Sequence, residues 1–133
     1  MSVVFLDTVG LLPLWDEDDQ WHAAAVSAFA TLAGAKTRFV TTTFVLLECG
    51  NAAARRPYRL RVNALRQTMA ARGEVLAPTD DDSREAWSAY DRGEANNARI
   101  VDHVSFVVMR RLGLTQAFTN DRHYQAAGLE VLF

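Results

Sequence analysis

The chain has 133 residues, half of them apolar and 23% charged, with a formal net charge of −2. That profile fits one globular domain with a real core and excludes a disordered chain; no apolar stretch nears the ~20 residues a bilayer-spanning helix needs. The small negative charge argues against indiscriminate nucleic-acid binding.

Val3-Val4-Phe5-Leu6 is a short apolar run stopped by Asp7, which reads as a buried strand and is too short for a secretory leader. The acidic run Asp16 to Asp19 precedes the alanine-rich stretch Trp21 to Leu32, where acids complement the positive end of a helix, and Gly34 ends it. Arg38 to Thr41 is strand-like. Thr42 or Thr43 can cap a helix from Phe44 to about Arg55, which Pro57 breaks. Tyr58, Val62, Leu65 and Met69 then form one stripe of a second helix, flanked by Arg59 and Arg66 on one side and Arg61 and Arg72 on the other. Glu74 to Ala77 is a short strand, and Asp80 to Ser83 cap a helix through Tyr90. Asp91 to Asn97 reads as a loop. Ile100 to Leu112 is an almost wholly apolar helix ended by Gly113, Gln116 to Thr119 a strand, Asp121 to Ala127 a turn or two of helix, and Leu129 to Leu132 a last strand. Strands alternating with helices imply an α/β fold, a small and mainly parallel sheet between helical layers, in a single domain over 1–133.

Charge is unevenly spread. Between Ala52 and Gly73 stand six arginines and no acid, and the whole chain carries one lysine, Lys36, against thirteen arginines. Arginine suits bidentate contact with phosphate or carboxylate, and its long stem also covers apolar surface. The single cysteine, Cys49, cannot form an internal disulfide, which fits a reducing compartment such as the cytoplasm.

In an open parallel sheet, functional groups collect beyond the carboxyl ends of the strands. Asp7 follows the first strand at once, and Asp121 follows Gln116 to Thr119 after one residue. Glu48 and Asp102 interrupt apolar helical runs, where a carboxylate is costly to bury unless something pairs it. Each acid alone has an ordinary reading: Asp7 and Asp121 as helix caps, Asp102 as a first-turn acid. Glu48 fits such a reading least. If the four converge, two like charges ~4 Å apart repel by about 4 kcal/mol at an effective dielectric near 20, so pKa values rise or a cation enters. Oxygen ligands without paired cysteines or histidines select Mg²⁺ or Mn²⁺, and such a site suits phosphodiester hydrolysis.

Three stretches carry a resemblance: FLDT around Asp7, TTTFVLLECGNAAARR around Glu48, and IVDHVSFVVMRRLGLTQAFTNDRHYQAAGLEVLF from Ile100 to Phe133. They make the sequence similar to the PIN-domain ribonucleases, most of all the VapC-like toxins of toxin–antitoxin pairs, along the full chain and thinnest between Val62 and Asp91. The resemblance implies a PIN-like fold and a catalytic, metal-binding tetrad of Asp7, Glu48, Asp102 and Asp121. It also implies Mg²⁺- or Mn²⁺-dependent endoribonuclease activity, and a homodimer neutralised by a small antitoxin. Thr8, Asn51 and Thr119 are the supporting polar residues, Thr119 matching a hydroxyl often seen beside the fourth acid. Arg55, Arg59, Arg66 and Arg122 are candidate contacts to RNA or antitoxin. One departure concerns Arg99, where the family usually has serine or threonine three residues before the third acid; the Asp91 to Asn97 loop also looks longer than usual.

Other chemistries fit less well. His22, His103 and His123 lack the spacing of a zinc site, and Cys49 has no neighbouring histidine to make it a nucleophile. Trp15 and Trp21 are expected to pack the first helix on the sheet, with base stacking as the alternative. A receiver domain wants adjacent acids at the first strand and a late lysine; a haloacid-dehalogenase phosphatase wants Asp-x-Asp, and position 9 is Val9. The remaining rivals are a PIN domain kept only for binding and a housekeeping RNA-processing nuclease.

Overall fold

β1 (Val3–Leu6) is apolar at every position because it is enclosed on both faces, in the middle of a five-stranded sheet ordered β3-β2-β1-β4-β5. Every pairing in this computed structural model, which describes residues 2–133, is parallel. Phe5 is in register with Val40 of β2 (Arg38–Thr42) on one side and with Ala117 of β4 (Gln116–Phe118) on the other. β3 (Val75–Leu76) and β5 (Glu130–Val131) are two-residue edges. Chain order reverses at β1, so the loops leaving β1 and β4 open side by side at the carboxyl end of the sheet. That crevice is where such folds place their sites.

Helices complete three layers, as the alternation implies. α2 (His22–Gly34), α3 (Thr43–Ala53) and α4 (Arg59–Ala71) follow the expected order. Thr42 caps α3, its hydroxyl accepting from the Val45 amide at 3.1 Å. α4 turns Val62 and Met69 inward, leaving its arginines exposed. α1 (Thr8–Trp15) is anticipated only by the reading of Asp7 as a helix cap, because its sequence TVGLLPLW is apolar almost throughout and shows no helical stripe. Trp15 is buried, whereas Trp21 is 46% exposed and does not pack as expected.

The cap of α5 (Asp80–Asp91) lies one residue before the expected run: Thr79 is the N-cap, joined reciprocally to Asp82 in a capping box. Asp82 is buried, yet it also takes both nitrogens of a fork from Arg111, at 2.9 and 2.8 Å, tying α5 to α7 (Ile100–Arg111). That guanidinium holds the Asp82 carboxyl below the usual range. The expected loop at Asp91 to Asn97 is instead the end of α5 and a single turn, α6 (Glu94–Asn97), with Ala95, Asn96 and Asn97 all at left-handed φ. α8 (Arg122–Ala126) follows β4. Among the described residues no helix is long and apolar enough to cross a membrane.

Gly10 lets α1 lie directly against β4. A β-carbon built there would stand 2.0 Å from the Phe118 carbonyl oxygen and 2.7 Å from its ring, and backbone cannot step aside as a flexible side chain can. Gly10→Ala should therefore lower unfolding stability by roughly 1–3 kcal/mol or more, although alanine is the better helix former. Urea denaturation checks this; unchanged stability would mean that α1 does not seat against β4.

Candidate active site

The carboxylate of Asp7 is the most constrained group at the sheet edge. Its residue is 2% exposed, at the point where β1 passes into α1. Oδ2 accepts from the Val9 amide at 3.2 Å, which caps α1, and from the Thr119 hydroxyl at 2.9 Å; Oδ1 accepts from the Tyr124 hydroxyl at 2.7 Å. Burial pushes its pKa up to about 6 despite these three donors. Burial also keeps Tyr124 well above the ordinary tyrosine range, so it remains a donor.

Thr119 joins two of the acids. Its Oγ1 donates to Asp7 and accepts from the Asp121 amide at 3.1 Å, which orients the turn after β4. Asp121 caps α8 by accepting from the His123 amide at 2.9 Å. Glu48, half-buried on α3, accepts from the Thr8 hydroxyl at 2.8 Å. Asp102 sits in the first turn of α7, half-buried, and makes no side-chain hydrogen bond among the described residues. Burial first, and then the charges of Asp7, Asp121 and Glu48, lift it to about 7.

The four acids line one pocket of about 240 Å³ together with Thr8, Arg99 and His123. Among the described residues no three acid, histidine or cysteine side chains close on a single point as placed. The carboxylates instead ring the pocket. The donor set fits a hard divalent cation in its chemistry: oxygen only, several negative charges, and one half-buried carboxylate without a partner.

The supporting residues divide. Thr8 and Thr119 touch the acids, but Asn51 is exposed on α3 and does not line the pocket. Arg59 and Arg66 border a different, mainly apolar groove of about 440 Å³ between α3 and α4, lined by Leu46, Leu47 and Val62. Arg55 and Arg122 are exposed, outside both cavities. Cys49 is buried and its thiol is pushed up to about 12, mainly by burial, which leaves it inert. Sequence reasoning misses Tyr124, whose only signal is its place in the D-R-H-[FY] run. It also sets His123 aside for want of zinc-site spacing, whereas the ring borders the acids and binds the Ala95 carbonyl through Nδ1 at 2.9 Å.

Raised carboxyls make the metal-free protein less stable as pH rises. Both forms are protonated below about 4; between there and about 7 the unfolded chain loses protons that the folded Asp7 and Asp102 retain, so folding grows weaker. In chelator, the Asp102→Asn variant should match the parent near pH 4 and melt on the order of 5 °C higher at pH 8. A variant that melts lower at every pH would make Asp102 a structural residue.

Comparisons with known proteins agree with this architecture. The PIN domain pattern matches residues 4–129. The 23S rRNA-specific endonuclease VapC20 of Mycobacterium tuberculosis, known from two strains, is 28% identical over 131 residues, covering 95% of each chain. The crystal structure of M. tuberculosis VapC20, described as a Sarcin-Ricin loop cleaving toxin, superposes with a TM-score of 0.80 at 26% identity, covering 96% of each chain. With the fold and nearly the whole length in agreement, the chain belongs to the PIN-domain family and is similar to its VapC-like endonucleases.

Proposed function

We propose that this chain is a divalent-metal-dependent endoribonuclease, the toxin of a toxin–antitoxin pair, with Asp7, Glu48, Asp102 and Asp121 as the residues that hold Mg²⁺ or Mn²⁺. The observation that carries this reading is Asp102: half-buried, without a hydrogen bond, and raised to about 7 by burial and by three other acids. Such a cluster is poorly stable without a counter-ion. When bound, the cation would neutralise the acids, polarise a phosphodiester and lower the pKa of an attacking water.

The protein's own part is orientation. Thr119 and Tyr124 fix both oxygens of Asp7, and Thr8 holds one oxygen of Glu48 with the other left for the pocket. The Thr119 bond to the Asp121 amide keeps the fourth acid at the rim. The names of the similar proteins make ribosomal RNA the first substrate to test. Cleavage of RNA by the purified chain should require Mg²⁺ or Mn²⁺, and Asp102→Asn should slow it by roughly 100-fold or more while the fold persists. Undiminished cleavage in chelator would sink the metal mechanism and point to His123 as the base.

The same reading places the protein in the cytoplasm, as a homodimer bound by a small antitoxin. The antitoxin would set an arginine or lysine against the four acids while its apolar residues fill the α3–α4 groove, where Leu47 is 66% exposed. Changing the antitoxin's C-terminal basic residues to alanine should abolish inhibition and cost roughly 2–5 kcal/mol of binding. Unchanged binding and inhibition would mean that occlusion works by another route.

A further inference from the structure

Arg99 is out of place by the rules that govern its position. Its backbone, at φ −71° and ψ 161°, is the N-cap of α7, yet its side chain makes no capping bond. Serine, threonine, aspartate or asparagine would supply that bond. The side chain is exposed, at the border of a pocket that holds four carboxylates, and among the described residues it forms an ion pair with none of them. The other basic group on the pocket, His123, already spends Nδ1 on the Ala95 carbonyl. Arg99 is thus the permanently charged cation of the pocket, and its guanidinium is uncommitted.

A polyanion approaching this pocket meets four acids that repel it. A planar guanidinium at the rim offers two parallel donors to one phosphate, and it cannot be neutralised by deprotonation. We propose that Arg99 binds a backbone phosphate of the RNA and so seats the chain over the acids; this rests on the ribonuclease reading above. Arg99 is then a substrate-positioning residue. It contributes to RNA affinity and leaves the metal's own affinity to the carboxylates.

The test uses Arg99→Ser and Arg99→Lys in the full-length protein. Serine returns the missing cap, so this variant should melt at or above the parent temperature and any loss of binding is not a loss of fold. Anisotropy of a fluorescent single-stranded RNA, with Mn²⁺ and with chelator, should show affinity falling about tenfold in Arg99→Ser. The salt dependence should become shallower by about 0.7 in the log–log slope, one phosphate contact on a single strand. Arg99→Lys should retain part of the affinity. In cleavage assays KM should rise while kcat holds within about threefold, and Mn²⁺ titration by calorimetry should be unchanged. Unaltered RNA affinity and salt slope would overturn the proposal. Tighter Mn²⁺ binding with faster cleavage would overturn it too, by showing that Arg99 is a plug competing with the ion. A parent protein that binds RNA through Arg99 but never cleaves it would refute the nuclease reading and spare this one.

Discussion

The buried carboxylate of Asp7 and its three donors are what the rest of this structure is arranged around. The Val9 amide ties it to the start of α1, the Thr119 hydroxyl to the end of β4, and the Tyr124 hydroxyl to α8. Those last two contacts join residues 112 and 117 positions apart in the chain, so they exist only because β4 lies beside β1. Gly10 serves the same junction from the other side, since any side chain there would prise α1 from Phe118. Even with these three donors, burial lifts this carboxylate to about 6.

The edge of the sheet therefore carries unfavourable contributions that other parts of the fold offset. Asp102 sits unpartnered beside three acids, and α6 holds three consecutive non-glycine residues at left-handed φ, each costing roughly 1–2 kcal/mol. Strain of that kind persists where surroundings over-determine the backbone. Here the Ala95 carbonyl accepts from His123, so the strained turn and the helix that Asp121 caps brace one another. Stabilising contacts lie further off: the buried Val4, Phe5 and Leu6 of β1, the aromatic packing of Phe29 on Phe39 and Phe118, and the bidentate Asp82–Arg111 pair that clamps α5 to α7.

Much of this architecture is legible in the amino-acid sequence. A continuous apolar run ended by an acid marks β1, the short stretch from Gln116 to Thr119 with Asp121 soon after it marks β4, and Glu48 and Asp102 stand out because carboxylates rarely interrupt apolar helices. What stays hidden has physical causes. α1 is buried on too many sides to show a stripe. The cap of α5 falls to Thr79 because a run of three aspartates offers several cap registers and only the reciprocal bond to Asp82 decides among them. The left-handed turn of α6 contains alanine, which no local rule would put there. Tyr124 looks like any core aromatic until its hydroxyl is seen on Asp7. Asn51 shows the opposite failure: its closeness to Glu48 in sequence suggests a shared site, but three residues along α3 it faces solvent away from the pocket.

The central claim is that Asp7, Glu48, Asp102 and Asp121 act as one cation-binding set. A crystal structure of the protein grown with Mn²⁺, read by anomalous scattering, tests it most directly. The expected result is a peak inside the pocket with carboxylate oxygens of at least two of these residues at roughly 2.0–2.4 Å, Asp7 among them. Saturating Mn²⁺ with no peak there, or with peaks only on the exposed acids of the Asp16 to Asp19 run, would contradict it.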